Sequence, residues 1–201
     1  MEGWPSVMTR FDASYYHRYY VDPKTRVDDA AHHASLVTGV VSLIEGLGGA
    51  LESVLDIGAG IGRWGQWFRK NRPKVEVVST ELEESTCKEY GHVRADISHF
   101  RLRRRFDLVV CQGVLPYLGD RDAARAIENI ASMSGQFLYL EAITRRDLEE
   151  VCDLERTDTA VHRRTGTWYE RRLSPHYLRV GAGLFYARRG PLQFFELEAG
   201  R

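Results

Sequence analysis

The stretch that most constrains this chain runs from Ser53 to Trp64 and reads SVLDIGAGIGRW. A short apolar run, Val54 to Ile57, is interrupted by Asp56 and gives way to glycines at positions 58, 60 and 62. A helix-like segment, Arg63 to Lys70, follows at once. Strand, glycine turn and helix start in that order deliver a ligand to a helix N-terminus, where backbone N–H groups lack partners. The glycines permit positive φ and let a ligand approach the backbone with no Cβ in the way.

The rest of the chain is read outward from that turn. Strand candidates are Val54–Ile57, Val75–Thr80, His92–Ala95, Phe106–Cys111 and Phe137–Glu141. Helical candidates between them are Arg63–Lys70, Glu83–Tyr90 and Asp120–Ser132. This alternation predicts βαβ crossovers and a parallel sheet covered on both faces. Leu108 to Cys111 is apolar throughout, as a central, doubly covered strand should be. Beyond Glu141, Arg145–Leu154 reads as a helix and Glu155–Trp168 as a polar loop. Tyr177–Tyr186 and Gln193–Leu197 read as strands joined through Arg188–Pro191, a hairpin that makes one of them antiparallel. The expected fold is α/β, a doubly wound, mostly parallel seven-stranded sheet with helices on both faces and a C-terminal antiparallel hairpin.

Ahead of the glycine turn stand Trp4, Phe11, Tyr15, Tyr16, Tyr19 and Tyr20, with His17 among them. Asp12 can start a short helix there, which Asp22-Pro23 would end. A second helical stretch runs from about Val27 to Leu47, and Gly46, Gly48 and Gly49 stop it. Residues 1–50 are thus expected to form a helical cap on a Rossmann-like core of residues 51–201. With no repeat, linker or low-complexity tract, 201 residues suit a single domain.

Charge and cysteine usage narrow the partners. Basic and acidic residues number 28 each, so no overall field draws the chain to nucleic acid or an anionic membrane. The arginine clusters at 103–105, 163–164 and 171–172 read as solvated surface. Cys87, Cys111 and Cys152 are far apart, without CxxC or Cys/His zinc spacing, so no disulfide framework and no metal is expected. Cys111 reads as a core thiol. No run reaches membrane-spanning length, and the N-terminus lacks a basic stretch followed by an apolar one. A cytoplasmic protein, monomeric or homodimeric, is the expectation.

Two cofactors compete for the glycine turn. Gly60, Gly62 and Gly65 fit GxGxxG, the dinucleotide fingerprint. Read from Asp56, the same residues give Asp-x-Gly-x-Gly-x-Gly, which resembles the first motif of class I S-adenosylmethionine-dependent methyltransferases. The ligands differ physically. A pyrophosphate wants bare N–H groups and no carboxylate close by. S-adenosylmethionine carries an ammonium and a sulfonium, which an acidic neighbour suits. Asp56 therefore favours the methyl donor; its plainer role is to stabilise the turn.

Later segments agree with the resemblance. Glu81, nineteen residues past Gly62, ends the second strand candidate and can accept from ribose hydroxyls, a role that NAD sites share. Thr80-Glu81 departs mildly from the family's pattern there. Asp96-Ile97 is similar to the third motif, where the acid takes the adenine amine and the apolar neighbour packs on the ring. Phe106 to Leu118 resembles the fourth, with cofactor contacts at Cys111–Gln112. The resemblance covers residues 50 to 143 and implies S-adenosylmethionine held by Asp56, Gly58, Ala59, Gly60, Glu81, Leu82, Asp96, Ile97 and Gln112.

It implies methyl transfer to an oxygen or nitrogen, and leaves the acceptor open. Candidates near the C-terminal strand ends are His162, Glu141 and Tyr20 for proton transfer, and His17, Tyr117 and Tyr169 for substrate contact. Each has a plainer role: a solvated loop histidine, a helix cap for Glu141, cap packing for the tyrosines. His32 and His33 read as non-functional residues of an amphipathic helix. Residues 111–117, CQGVLPY, lack the Asp/Asn-Pro-Pro-Tyr/Phe arrangement of adenine and glutamine amino methyltransferases. A small-molecule acceptor, as in secondary metabolism, is expected. The alternatives are an NAD-dependent oxidoreductase and a donor-binding protein that does not methylate.

Overall fold

Seven strands form one sheet in the order β3-β2-β1-β4-β5-β7-β6. The computed structural model describes residues 11–27 and 29–199, so Trp4 lies outside the described residues. The strands are β1 (Ser53–Ile57), β2 (Glu76–Glu81), β3 (Val93–Arg94), β4 (Phe106–Gln112), β5 (Ser134–Glu141), β6 (Tyr177–Gly181) and β7 (Leu184–Ala187). Strands β1 to β5 pair in parallel, and β7 runs antiparallel to both β5 and β6. The α/β expectation, with a mostly parallel sheet and an antiparallel C-terminal pair, therefore holds.

Side chains along the central strands alternate between two cores, as the period of two requires. Leu55, Val109, Cys111 and Leu138 face one side, where Ala126, Ile127 and Ile130 of α5 (Asp120–Met133) and Tyr169 and Leu173 of α7 (Gly166–Leu173) cover them. Val54, Leu108, Val110 and Phe137 face the other, under Val37, Val41 and Ile44 of α2 (Ala30–Gly46) and Trp64 and Phe68 of α3 (Arg63–Asn71). The N-terminal helices thus divide in two. Helix α2 lies on a face of the sheet, whereas α1 (Ala13–Tyr16) and the π turn His17–Val21 remain at the strand ends. Asp12 caps α1 by accepting from the Tyr15 N–H, and the turn ends at Asp22. Among the described residues no helix is long and apolar enough to cross a membrane.

The C-terminal region corrects the sequence reading. The hairpin sits inside the expected 177–186 strand, because Gly181, Ala182 and Gly183 adopt φ of 134°, 46° and 77° and turn the chain there. Positive φ at both central residues is the twist a two-residue hairpin needs. Gln193–Leu197 forms no strand, and Phe195 and Leu197 are exposed. The expected loop before Trp168 ends at helix α7, whose cap Thr165 accepts from the Trp168 N–H. Helix α6 (Arg145–Glu150) is shorter than Arg145–Leu154, held at its start by a Thr144/Asp147 capping box.

Ala182 is the one non-glycine residue with positive φ among the described residues. Left-handed backbone costs an L-residue about 1–2 kcal/mol, partly offset by the flexibility glycine adds to the unfolded chain. Ala182→Gly is therefore expected to raise the urea midpoint, by up to about 1 kcal/mol in stability at unchanged m-value. An equal or lower midpoint would contradict the turn geometry.

Candidate active site

Strand order reverses between β1 and β4, and open α/β sheets bind ligands in the crevice at that switch point. A cavity of about 450 Å³ lies there, within the range of small-molecule sites. The glycine turn forms part of its wall. Gly58, Gly60 and Gly62 adopt φ of 65°, 53° and 74°. A Cβ on Gly58 would stand 2.3 Å from the Val114 side chain, so no other residue fits without moving the loop after β4.

Two acids meet at this turn. Glu81, buried at the end of β2, accepts the Gly60 N–H at 2.9 Å through one oxygen and the Leu82 N–H at 2.6 Å through the other. The carboxylate thus braces the glycine turn, and the Tyr16 hydroxyl bonds it as well. Asp56 is 2% exposed and its Oδ2 has no hydrogen-bond partner. It therefore does not stabilise the turn through that oxygen. Burial, then the charge on Glu81, pushes its carboxyl up to about 7. Ala59 donates its N–H to Thr80 and tucks the turn against β2.

The far wall comes from β3 and β4. Asp96 accepts from the Ser98 N–H at 2.8 Å and from Ser98 Oγ at 2.7 Å, in a turn rather than at a helix start. Burial opposes its charge, but these bonds and His99 outweigh that and hold its carboxyl below the usual range. Ile97 is buried beside it, and Leu82 is partly exposed at the cavity edge. Gln112 is tied from both ends: its Oε1 accepts from Trp64 Nε1 at 2.8 Å and lies 3.3 Å from His33 Nε2. Its Nε2 donates to Glu141 at 3.1 Å. Gln112 therefore joins α2 and α3 to the end of β5.

The remaining wall is aromatic. Tyr15, Tyr16 and Tyr20 line the cavity from above, and the Tyr15 and Tyr117 hydroxyls are 2.7 Å apart. Burial pushes the Tyr20 phenol up to about 12, with Glu141 adding to it, and raises Tyr15 and Tyr117 further. The phenols stay neutral. Arg63 donates to the Tyr20 carbonyl at 2.7 Å, so the start of α3 holds the cover in place. Buried Arg164 clamps a second segment, donating to Asp120 Oδ1 at 2.8 Å and to the carbonyls of Leu115 and Leu118. That clamp brings Asp158 and Val161 to the cavity rim.

All nine expected cofactor residues line this one cavity, with Glu141, Tyr20 and Tyr117. His17, His162 and Tyr169 do not. His17 is exposed on the outer side of the π turn. His162 is exposed because its backbone N–H, bonded to Pro116, fixes the segment with the ring outward. Tyr169 is core: one turn before Leu173, it lies on the helix face packed against the sheet. Conversely, His32 and His33 line the cavity, against the expectation of no role. The signal for His33 was its spacing, four residues before Val37 on the buried stripe of α2. Arg164, expected with Arg163 to be solvated surface, is instead buried, because its guanidinium is taken up by Asp120 and the Leu115 and Leu118 carbonyls.

A carboxyl raised in the folded state keeps its proton better when folded. The Asp56 contribution to stability is thus complete below about pH 4 and lost as pH rises through about 7. Across that window wild type should lose on the order of 3–4 kcal/mol relative to Asp56→Asn. Urea unfolding of both proteins at steps from pH 4 to 8 measures this; a pH-independent difference would contradict it.

Neither a protein-family model nor a curated protein sequence matches the chain. Solved structures do. The plantazolicin methyltransferase BpumL in complex with SAH aligns at a TM-score of 0.59 and 16% identity, over 73% of this chain and 63% of that one. An S-adenosylmethionine-dependent methyltransferase from Clostridium acetobutylicum aligns at 0.56 and 15%, over 69% and 59%. DesVI from Streptomyces venezuelae aligns at 0.59 and 17%, over 77% and 91%. The chain thus spans less than two thirds of the first two. At such identities the likeness is one of fold, and that fold is the class I, Rossmann-like fold of S-adenosylmethionine-dependent methyltransferases.

Proposed function

We propose that this protein is an S-adenosylmethionine-dependent methyltransferase acting on an oxygen or nitrogen of a small molecule, in secondary metabolism. The observation that carries the reading is Asp56: a buried carboxyl with an unpartnered oxygen in the wall of the cavity, beside the glycine turn. A buried anion without a partner is costly, and a cation restores it. The donor brings an ammonium and a sulfonium, whereas a dinucleotide would add a diphosphate against Asp56 and Glu81.

The residues fit such a donor. Glu81, braced by the turn, has acceptor capacity left for a ribose hydroxyl, and Asp96 with Ile97 offers an acceptor and an apolar face for an adenine. When bound, the donor supplies a methyl group on a positively charged sulfur, which leaves as a neutral thioether. The chain's own part is to hold the acceptor in line under the tyrosine cover and to exclude water. In favourable intramolecular cases such positioning supplies roughly 7–11 kcal/mol. Glu141, fixed by Gln112, is placed to take a proton from the acceptor. BpumL in complex with SAH supports the donor assignment by likeness of fold.

Calorimetric titration tests the reading. S-adenosylhomocysteine should bind and NAD should not. Asp56→Asn should weaken S-adenosylhomocysteine at least about ten-fold, or 1.4 kcal/mol, with an unchanged circular dichroism spectrum. Affinity should also rise with pH towards about 7, as Asp56 ionises. Tighter binding of NAD would overturn the proposal.

A further inference from the structure

Charge is unevenly distributed around the cavity. Among its described lining residues are five carboxylates, Asp56, Glu81, Asp96, Glu141 and Asp158, and one guanidinium, Arg63. Arg63 is engaged by the Tyr20 carbonyl, and its guanidinium carbon lies 5.6 Å from the centre of the Tyr20 ring. Asp56, Glu81 and Asp96 belong to the glycine turn and β3 side, where the donor is assigned.

Glu141 and Asp158 belong to the other side. Both line the cavity with Tyr15, Tyr20 and Tyr117, and after burial their charges help to raise these phenols, Asp158 for all three and Glu141 for Tyr20. These rings form one cluster: Tyr15 and Tyr20 are 6.5 Å apart centre to centre, and Phe11 packs edge-on to both Tyr15 and Tyr117, at 5.1 and 4.9 Å. Neutral aromatic rings present negative faces to a cation, and carboxylates in the same wall add to the attraction. The same wall repels a carboxylate or phosphate.

From this wall we infer that the methyl acceptor is an amine, captured as its ammonium by Tyr15, Tyr20 and Tyr117 with Glu141 and Asp158. The inference rests on the methyltransferase reading and names the acceptor class for that site. The ammonium gives its proton to the Glu141 carboxylate, which frees the nitrogen lone pair. That pair forms the new N–C bond as the C–S bond of the sulfonium donor breaks, and the C–S electrons stay on sulfur. The product is the N-methylammonium, and the proton on Glu141 passes to water.

The test uses the whole protein saturated with S-adenosylhomocysteine, whose binding is established first. Two matched probe sets are titrated: benzylamine, benzyl alcohol and benzoate, then 2-phenylethylamine, 2-phenylethanol and 3-phenylpropanoate. The amine should bind at least ten-fold more tightly than its alcohol, with no binding of the carboxylate. Asp158→Asn and Glu141→Gln should each cut that preference at least three-fold, and Asp158→Asn should leave S-adenosylhomocysteine affinity within two-fold. Bound S-adenosylhomocysteine without amine preference in either set, or with a preference that survives both variants, overturns the amine assignment alone. No binding of S-adenosylhomocysteine overturns the methyltransferase reading, and this assignment with it.

Discussion

The hydrogen bond from the Gly60 N–H to Glu81 holds the site together. It ties the glycine turn after β1 to the end of β2, and so fixes where the turn stands relative to the sheet. Because the turn is fixed, Asp56 is sealed beneath it with one oxygen unpartnered. Burial there, and then the charge on Glu81, raises the Asp56 carboxyl. A cation placed there would offset the cost of that unpartnered oxygen.

The two faces of the sheet serve this site differently. On one, Trp64 of α3 packs in the core while its indole N–H reaches Gln112, so a packing residue also orients a polar one. On the other, α5 and α7 bury the sheet and leave Arg164 to hold the chain between α6 and α7. Arg164 is buried against carbonyl oxygens, which satisfy a guanidinium's donors without a second buried charge. The rim segment and the N-terminal tyrosines are thus fastened by arginines, Arg164 and Arg63, to the rigid sheet.

Much of the fold was legible because it rests on local periodicity. The apolar runs of β1 and β4 and the stripe on α2 require particular packing partners whatever else the chain does. The hairpin divides the expected 177–186 strand because Gly181-Ala182-Gly183 interrupts its strand-formers, a turn signal that the apolar residues on either side outweigh when the segment is read as one run. Helix α7 went unread because its cap, Thr165, is followed by Gly166, a residue that usually argues against helix. The glycine-turn side of the site was legible for a different reason: turn, acid and strand are contiguous in sequence. The tyrosine side was not, because it is assembled from residues near 15, 117, 141 and 158, which no spacing relates.

The sequence by itself determined the alternating α/β plan, the glycine turn and the acid one residue before the end of β1, because each depends on neighbours a few residues away. Only the tertiary structure decided which tyrosines face the cavity, that Tyr169 is core, that His17 and His162 point away, and that His33 belongs to the Gln112 network. Those outcomes depend on how α1, α2 and α7 are rotated against the sheet. Such rotation is set by the summed packing of both cores and by Arg164, which no local pattern encodes. The turn thus specifies what is held, and the packing decides what can approach it.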